Sequence, residues 1–225
     1  MLKLLGMFVF LFLAHADGRE LRTNALSMDA PDWITIHRLD GIVEHIQSVL
    51  EWDIRRIQVY WYKDQNKFEG LHHYGPTVLA ISRKADNTVH LGPRVNNDNF
   101  DAVFGHELVH VISFQKYKGA IPPWLEEGLA NHLSHQAKVD YHWLAGQPFP
   151  EDVRHLTHPF GGTVDNIRYH YMASQALAEM ISSKCDFSNL LRLSVKRNMD
   201  NYLDTYCNIK DLTGDFKKWV KAHGA

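Results

Sequence analysis

The chain has 225 residues, 45% hydrophobic, 12% aromatic and 22% charged, a balance that excludes collagen-like, coiled-coil and largely disordered classes. With 24 Lys and Arg against 26 Asp and Glu, the net charge of −2 supplies no general attraction to a phosphate backbone or an anionic membrane, so nucleic acid is not an expected partner. The length suits one domain with a buried core and room for a cleft.

Met1-Leu2-Lys3 is a short positive start, Leu4 to Leu13 is an apolar run, and Ala14-His15-Ala16 has the small-x-small form of a signal-peptidase site. Residues 1–16 are therefore expected to be a signal peptide cleaved after Ala16, with an N-terminal anchor or core helix as the alternative. The run is too short to cross a bilayer as a helix and no comparable stretch follows, so no transmembrane anchor is expected. Residues 17–225 are then a secreted or periplasmic chain. Export also bears on the two cysteines: Cys185 and Cys207 are candidates for a disulfide in a non-reducing compartment, with two unpaired thiols as the alternative.

Val43, Ile46, Val49 and Leu50 recur at helical spacing and precede Ile54 to Tyr62, which is rich in β-branched and aromatic residues, so a helix is followed by a strand. Gly75-Pro76 breaks the chain before a strand over Thr77 to Ser82. Asp86-Asn87 turns it into another over Thr88 to Leu91, closed by Gly92-Pro93. Asn97-Asp98-Asn99 offers helix N-cap residues, and the remainder reads as helices with one irregular segment between Ser134 and Arg168. The expected fold class is α+β, with a sheet-containing upper lobe over 17–97 and a helical lower lobe over 98–225.

Residues 106–110 read His-Glu-Leu-Val-His, and on a helix this spacing puts His106 and His110 on one face, able to aim both imidazoles at one ion. Val103, Phe104, Leu108, Val109, Val111, Ile112 and Phe114 make the helix apolar nearly all round, which implies burial. Two buried histidines and a buried carboxylate cost several kcal/mol unless they are bonded or coordinated. The alternative to a metal is a set of core hydrogen bonds with Glu107 in an ion pair. Pro122-Pro123-Trp124 then opens a second helix, Leu125-Glu126-Glu127-Gly128-Leu129-Ala130, whose first turns carry carboxylates able to complete a two-His, one-Glu set.

His-Glu-Leu-Val-His followed after sixteen residues by the second Glu of Trp-Leu-Glu-Glu-Gly-Leu-Ala resembles the gluzincin metallopeptidases, among them the short peptidase MA-like secreted or cell-envelope members. Gln58-Val59-Tyr60-Trp61-Tyr62 with Phe68 resembles their opening strand and helix, Thr88 to Pro93 their last strand before the zinc helix, and Tyr169-His170-Tyr171-Met172-Ala173-Ser174 the start of a helix bearing a tyrosine toward the metal. The resemblance spans about residues 32–222 and is specific at the two zinc helices. It implies a cleft between the lobes, one Zn2+ per chain on His106, His110 and Glu127, and a peptide or protein substrate. Glu126 would fill a variable slot as a solvated or supporting group. Glu107 would be the general base for water, and Tyr171 the donor to the oxyanion, with Tyr169 and His170 as rivals. Asn131, where thermolysin-like relatives carry Asp, would accept from a ligand histidine through its amide oxygen.

His135, His142, His155 and His158 lack metal-pair spacing on a convincing helix and read as surface or hydrogen-bonding groups, with a second metal as the alternative. Their segment, with Trp143, Phe149, Phe160 and Gly161-Gly162, would form one wall of the cleft. Two other functions fit the same residues: an exported zinc-binding or interaction protein with a vestigial site, and a hydrolase of cell-wall peptide amides.

Overall fold

In the computed structural model, which describes residues 19–50, 54–134, 138–156, 163–195 and 197–225, the N-terminal part builds a five-stranded mixed sheet and the C-terminal part is mostly helical, an α+β arrangement. The strands are β1 (Arg19–Arg22), β2 (Leu26–Ala30), β3 (Ile57–Trp61), β4 (Ala80–Arg83) and β5 (Thr88–Leu91), in the spatial order β1-β2-β3-β5-β4. β2, β3 and β5 run parallel to one another, and β1 and β4 close the two edges antiparallel. Alternation puts Met28, Ile57, Val59, Val89 and Leu91 in the core, while Tyr60 faces outward.

Helix α1 (Ile36–Leu50) crosses between β2 and β3 and buries Leu39, Val43, Ile46 and Leu50, three of them in the stripe read from the sequence, whose fourth member, Val49, is half-buried. α2 (Gln65–Glu69) follows β3 and buries Phe68, so the expected strand-then-helix order holds. α3 (Phe100–Tyr117) starts after Asn99 and is buried on most of its circumference, as its apolar composition requires. It packs against α1, β4 and β5 on one side and against α4 (Pro123–Leu133) on the other. α4 in turn lies on α6 (Val164–Ser182). Gly128 permits that approach: a Cβ there would sit 2.5 Å from the Ser174 carbonyl oxygen, inside hard contact.

β3 covers Ile57–Trp61, short of the Ile54 to Tyr62 run read as a strand, and three further differences from the sequence reading each have a local reason. β1 and β2 occupy a stretch to which no strand was assigned, because Arg-Glu-Leu-Arg and Leu-Ser-Met-Asp-Ala are too short and too polar to register as alternating runs. β4 begins at Ala80 rather than Thr77, since the Arg94 guanidinium takes the Pro76 and Val78 carbonyls that a longer strand would offer its neighbours. The segment between Ser134 and Arg168 contains α5 (Tyr141–Ala145), capped by Asp140, and a 3-10 turn at Val153–His155. It also contains the first turns of α6, which starts at Val164 because the Thr163 side chain caps Asn166 N–H.

The chain closes with α7 (Phe187–Ser194), α8 (Met199–Thr205) and α9 (Leu212–His223). Cys185 and Cys207 form a disulfide with Cα atoms 4.9 Å apart, tying the end of α6 to the segment after α8. Among the described residues no helix is long and apolar enough to cross a membrane. The expected signal peptide at 1–16, together with His135, His158, Phe160 and Gly161-Gly162, lies outside the described residues.

Candidate metal centre

One turn of α3 separates His106 from His110, and both imidazoles leave the helix toward α4, with Nε2 atoms 3.2 Å apart. Glu127, from the first turns of α4, meets them there. Its Oε1 is 3.5 Å from His110 Nε2 and its Oε2 is 3.6 Å from His106 Nε2. Both histidines are 7% exposed and Glu127 is half-buried, so these groups meet largely out of water.

The three side chains form a group that can hold a metal ion. Bonds of about 2.0–2.1 Å at tetrahedral angles set ligand atoms about 3.3 Å apart, close to all three separations seen here. Glu127 Oε2 is also buried without a hydrogen-bond partner, a costly state for a carboxylate oxygen that a cation would relieve. Charge points the same way. Glu107, Glu126 and Glu127 gather around His110 and are opposed by the Lys84 ammonium, leaving an excess of negative charge that a divalent cation would cancel.

The electrostatics follow from this crowding. Burial alone would lower the pKa of His110, but Glu127, Glu126 and Glu107 outweigh it and raise it to about 9. Burial raises Glu127 above the usual carboxylate range, against the pull of His110. Burial likewise raises Glu107, opposed by His110 and by hydrogen bonds from the Ser82 hydroxyl and backbone N–H. Glu126 is also buried, which alone would raise it, yet its bonds to His110 and Lys84 hold it below its ordinary value.

Glu107 follows His106 on α3, with Ser82 of β4 near its carboxylate. Tyr171, on α6, sets its ring edge-on to His106 with centroids 6.3 Å apart. Burial, then Glu127 and Glu107, raise its pKa, which places the phenol beside both carboxylates. Of the rival residues, Tyr169 packs edge-on against His170, and its hydroxyl is buried without a hydrogen-bond partner.

Asn131 is where helical spacing puts it, buried on α4 one turn after Glu127, but it is not the acceptor for a ligand histidine. Its amide nitrogen donates to Ser174 Oγ at 3.2 Å, and its Oδ1 has no hydrogen-bond partner. The amide nitrogen thus faces Ser174 of α6. The acceptor is Glu126, whose Oε1 lies 3.1 Å from His110 Nδ1 and which is ion-paired to Lys84. Ser82 and Lys84 carried no signal in the sequence: they reach the site only through the pairing of β4 with β5. His142 and His155 are exposed and stand apart from the metal group, and His142 lies 3.3 Å from the Gly224 carbonyl. No family model matches this chain, and neither does any curated protein.

Proposed function

We propose that the chain is a metal-dependent peptidase, with Zn2+ on His106, His110 and Glu127 and peptide bonds as its target. The observation that carries this reading is the triangle of two imidazole nitrogens and a carboxylate beside a second, half-buried carboxylate, Glu107. A zinc ion held there supplies a Lewis acid that acidifies water and polarises a carbonyl.

The protein's own groups supply the rest. The Glu107 carboxylate accepts a proton from the attacking water and returns it to the leaving amine nitrogen. Burial raises its pKa, which favours its holding the proton for return. The Tyr171 hydroxyl donates to the substrate oxygen as negative charge develops on it. β4 is an edge strand lying beside α3, so an extended peptide can add to it through backbone hydrogen bonds, with little dependence on side-chain sequence. The disulfide suits a secreted or periplasmic protein, in line with a leader at residues 1–16.

Cleavage of an unstructured protein by the zinc-loaded chain, compared with chelated protein and with Glu107→Gln, tests the reading. Turnover by wild type, lost on chelation and reduced at least about a thousandfold in Glu107→Gln with zinc still bound, is the expected result. Zinc binding without turnover by wild type would favour a metal-binding protein over an enzyme.

A further inference from the structure

Glu126 immediately precedes the proposed ligand Glu127, yet it points to the far side of His110. Its Oε1 meets Nδ1 at 3.1 Å, while the Lys84 ammonium holds both of its oxygens, at 2.9 and 3.0 Å. The Glu126 side chain is only 13% exposed, so this is not a loose surface pair. Lys84 itself sits on an anchored turn. It opens the turn between β4 and β5, whose Asn87 side chain donates to the Arg56 carbonyl at 2.8 Å and also bonds to Gln115 of α3. The turn is thereby fastened to the helix that carries His106 and His110.

We propose that Glu126, held by Lys84, is a positioning residue that fixes the tautomer and ring orientation of His110 for metal binding. An ionised carboxylate can only accept, so the Nδ1 facing it carries the hydrogen. Once an incoming metal displaces the hydrogen on Nε2, the lone pair faces His106 Nε2 and Glu127. Lys84 grips both Glu126 oxygens and so holds the carboxylate against Nδ1, acting on the centre through Glu126 rather than by touching it. The inference rests on the metal reading above.

The test measures dissociation constants for Co2+ and Zn2+ by competition with a chromophoric chelator, together with thermal melting of the metal-free proteins. Glu126→Gln is expected to weaken both metals by about tenfold to a hundredfold. Lys84→Met is expected to weaken them by about threefold to tenfold, and the double variant to match Glu126→Gln, because Lys84 works through Glu126. The sign for Lys84→Met is decisive: a purely coulombic role predicts tighter binding once a positive charge is removed. Tighter or unchanged binding in Lys84→Met, or a change under twofold in Glu126→Gln, overturns the inference while leaving the metal reading intact. Failure of the wild-type chain to bind either metal overturns both. If Glu126→Gln does not fold, Lys84→Met, whose side chain is 38% exposed, carries the test.

Discussion

Ser82, on the edge strand β4, stands beside Glu107 of α3 and lowers the carboxylate's pKa against the effect of burial. A strand at the margin of the sheet thus flanks the proposed general base that α3 presents. The same strand leads directly into Lys84, so β4 reaches the two sides of the histidine pair through separate carboxylates.

Loss of the Ser82 hydroxyl should therefore loosen Glu107 without emptying the metal site. In Ser82→Ala, kcat for cleavage of an unstructured protein is expected to fall about tenfold, in keeping with one hydrogen bond to a charged group. Metal content should stay at the wild-type level. A drop in metal content with unchanged kcat per bound metal would assign Ser82 to the fold instead.

Gly128 lets α4 and α6 approach closely enough to bring Tyr171 beside His106. An added methyl group meets the backbone carbonyl of Ser174, which cannot rotate away, and Ala178 Cβ at 3.2 Å. Gly128→Ala is expected to destabilise the chain by about 1–3 kcal/mol in urea denaturation, the usual cost of overpacking. A stability equal to or above wild type would show that α6 shifts freely.

His90, on β5, is buried between the Tyr62 hydroxyl at 3.0 Å and the Thr88 hydroxyl at 2.9 Å. Burial, helped by Arg83, lowers its pKa below 6.5. The unfolded chain then binds this proton more readily than the folded one. His90 accordingly contributes fully to stability above about pH 6.5, and that contribution declines as pH falls from there toward the folded-state value. Titration of the His90 ring by NMR should give a midpoint below 6.5. A midpoint at or above 6.5 would contradict this assignment.

How much was legible in the sequence depended on how far apart the interacting residues lie along the chain. His106 and His110 sit one turn apart on a single helix, so their shared face follows from spacing alone. β5 ends where Gly92-Pro93 says it should, and three of the four buried residues of α1 stand in its sequence stripe. Glu127 needed the resemblance to choose it over Glu126, and the structure puts the two on different atoms of His110: Glu127 near Nε2, Glu126 near Nδ1. Ser82 and Lys84 were not readable, because they arrive by strand pairing across tens of residues. Asn131 shows the limit of helical spacing, which locates a residue on a face but not the rotamer that packing against Ser174 selects.

The central claim is that His106, His110 and Glu127 form one metal site. Metal content per chain after reconstitution with Zn2+ and removal of excess, measured on wild type and on His110→Ala and Glu127→Ala, tests it most directly. The account predicts one zinc per wild-type chain and a loss of affinity greater than about a hundredfold in each variant, since each removes a ligand. A wild-type chain that retains no zinc, or variants that retain it as tightly as wild type, would contradict the claim.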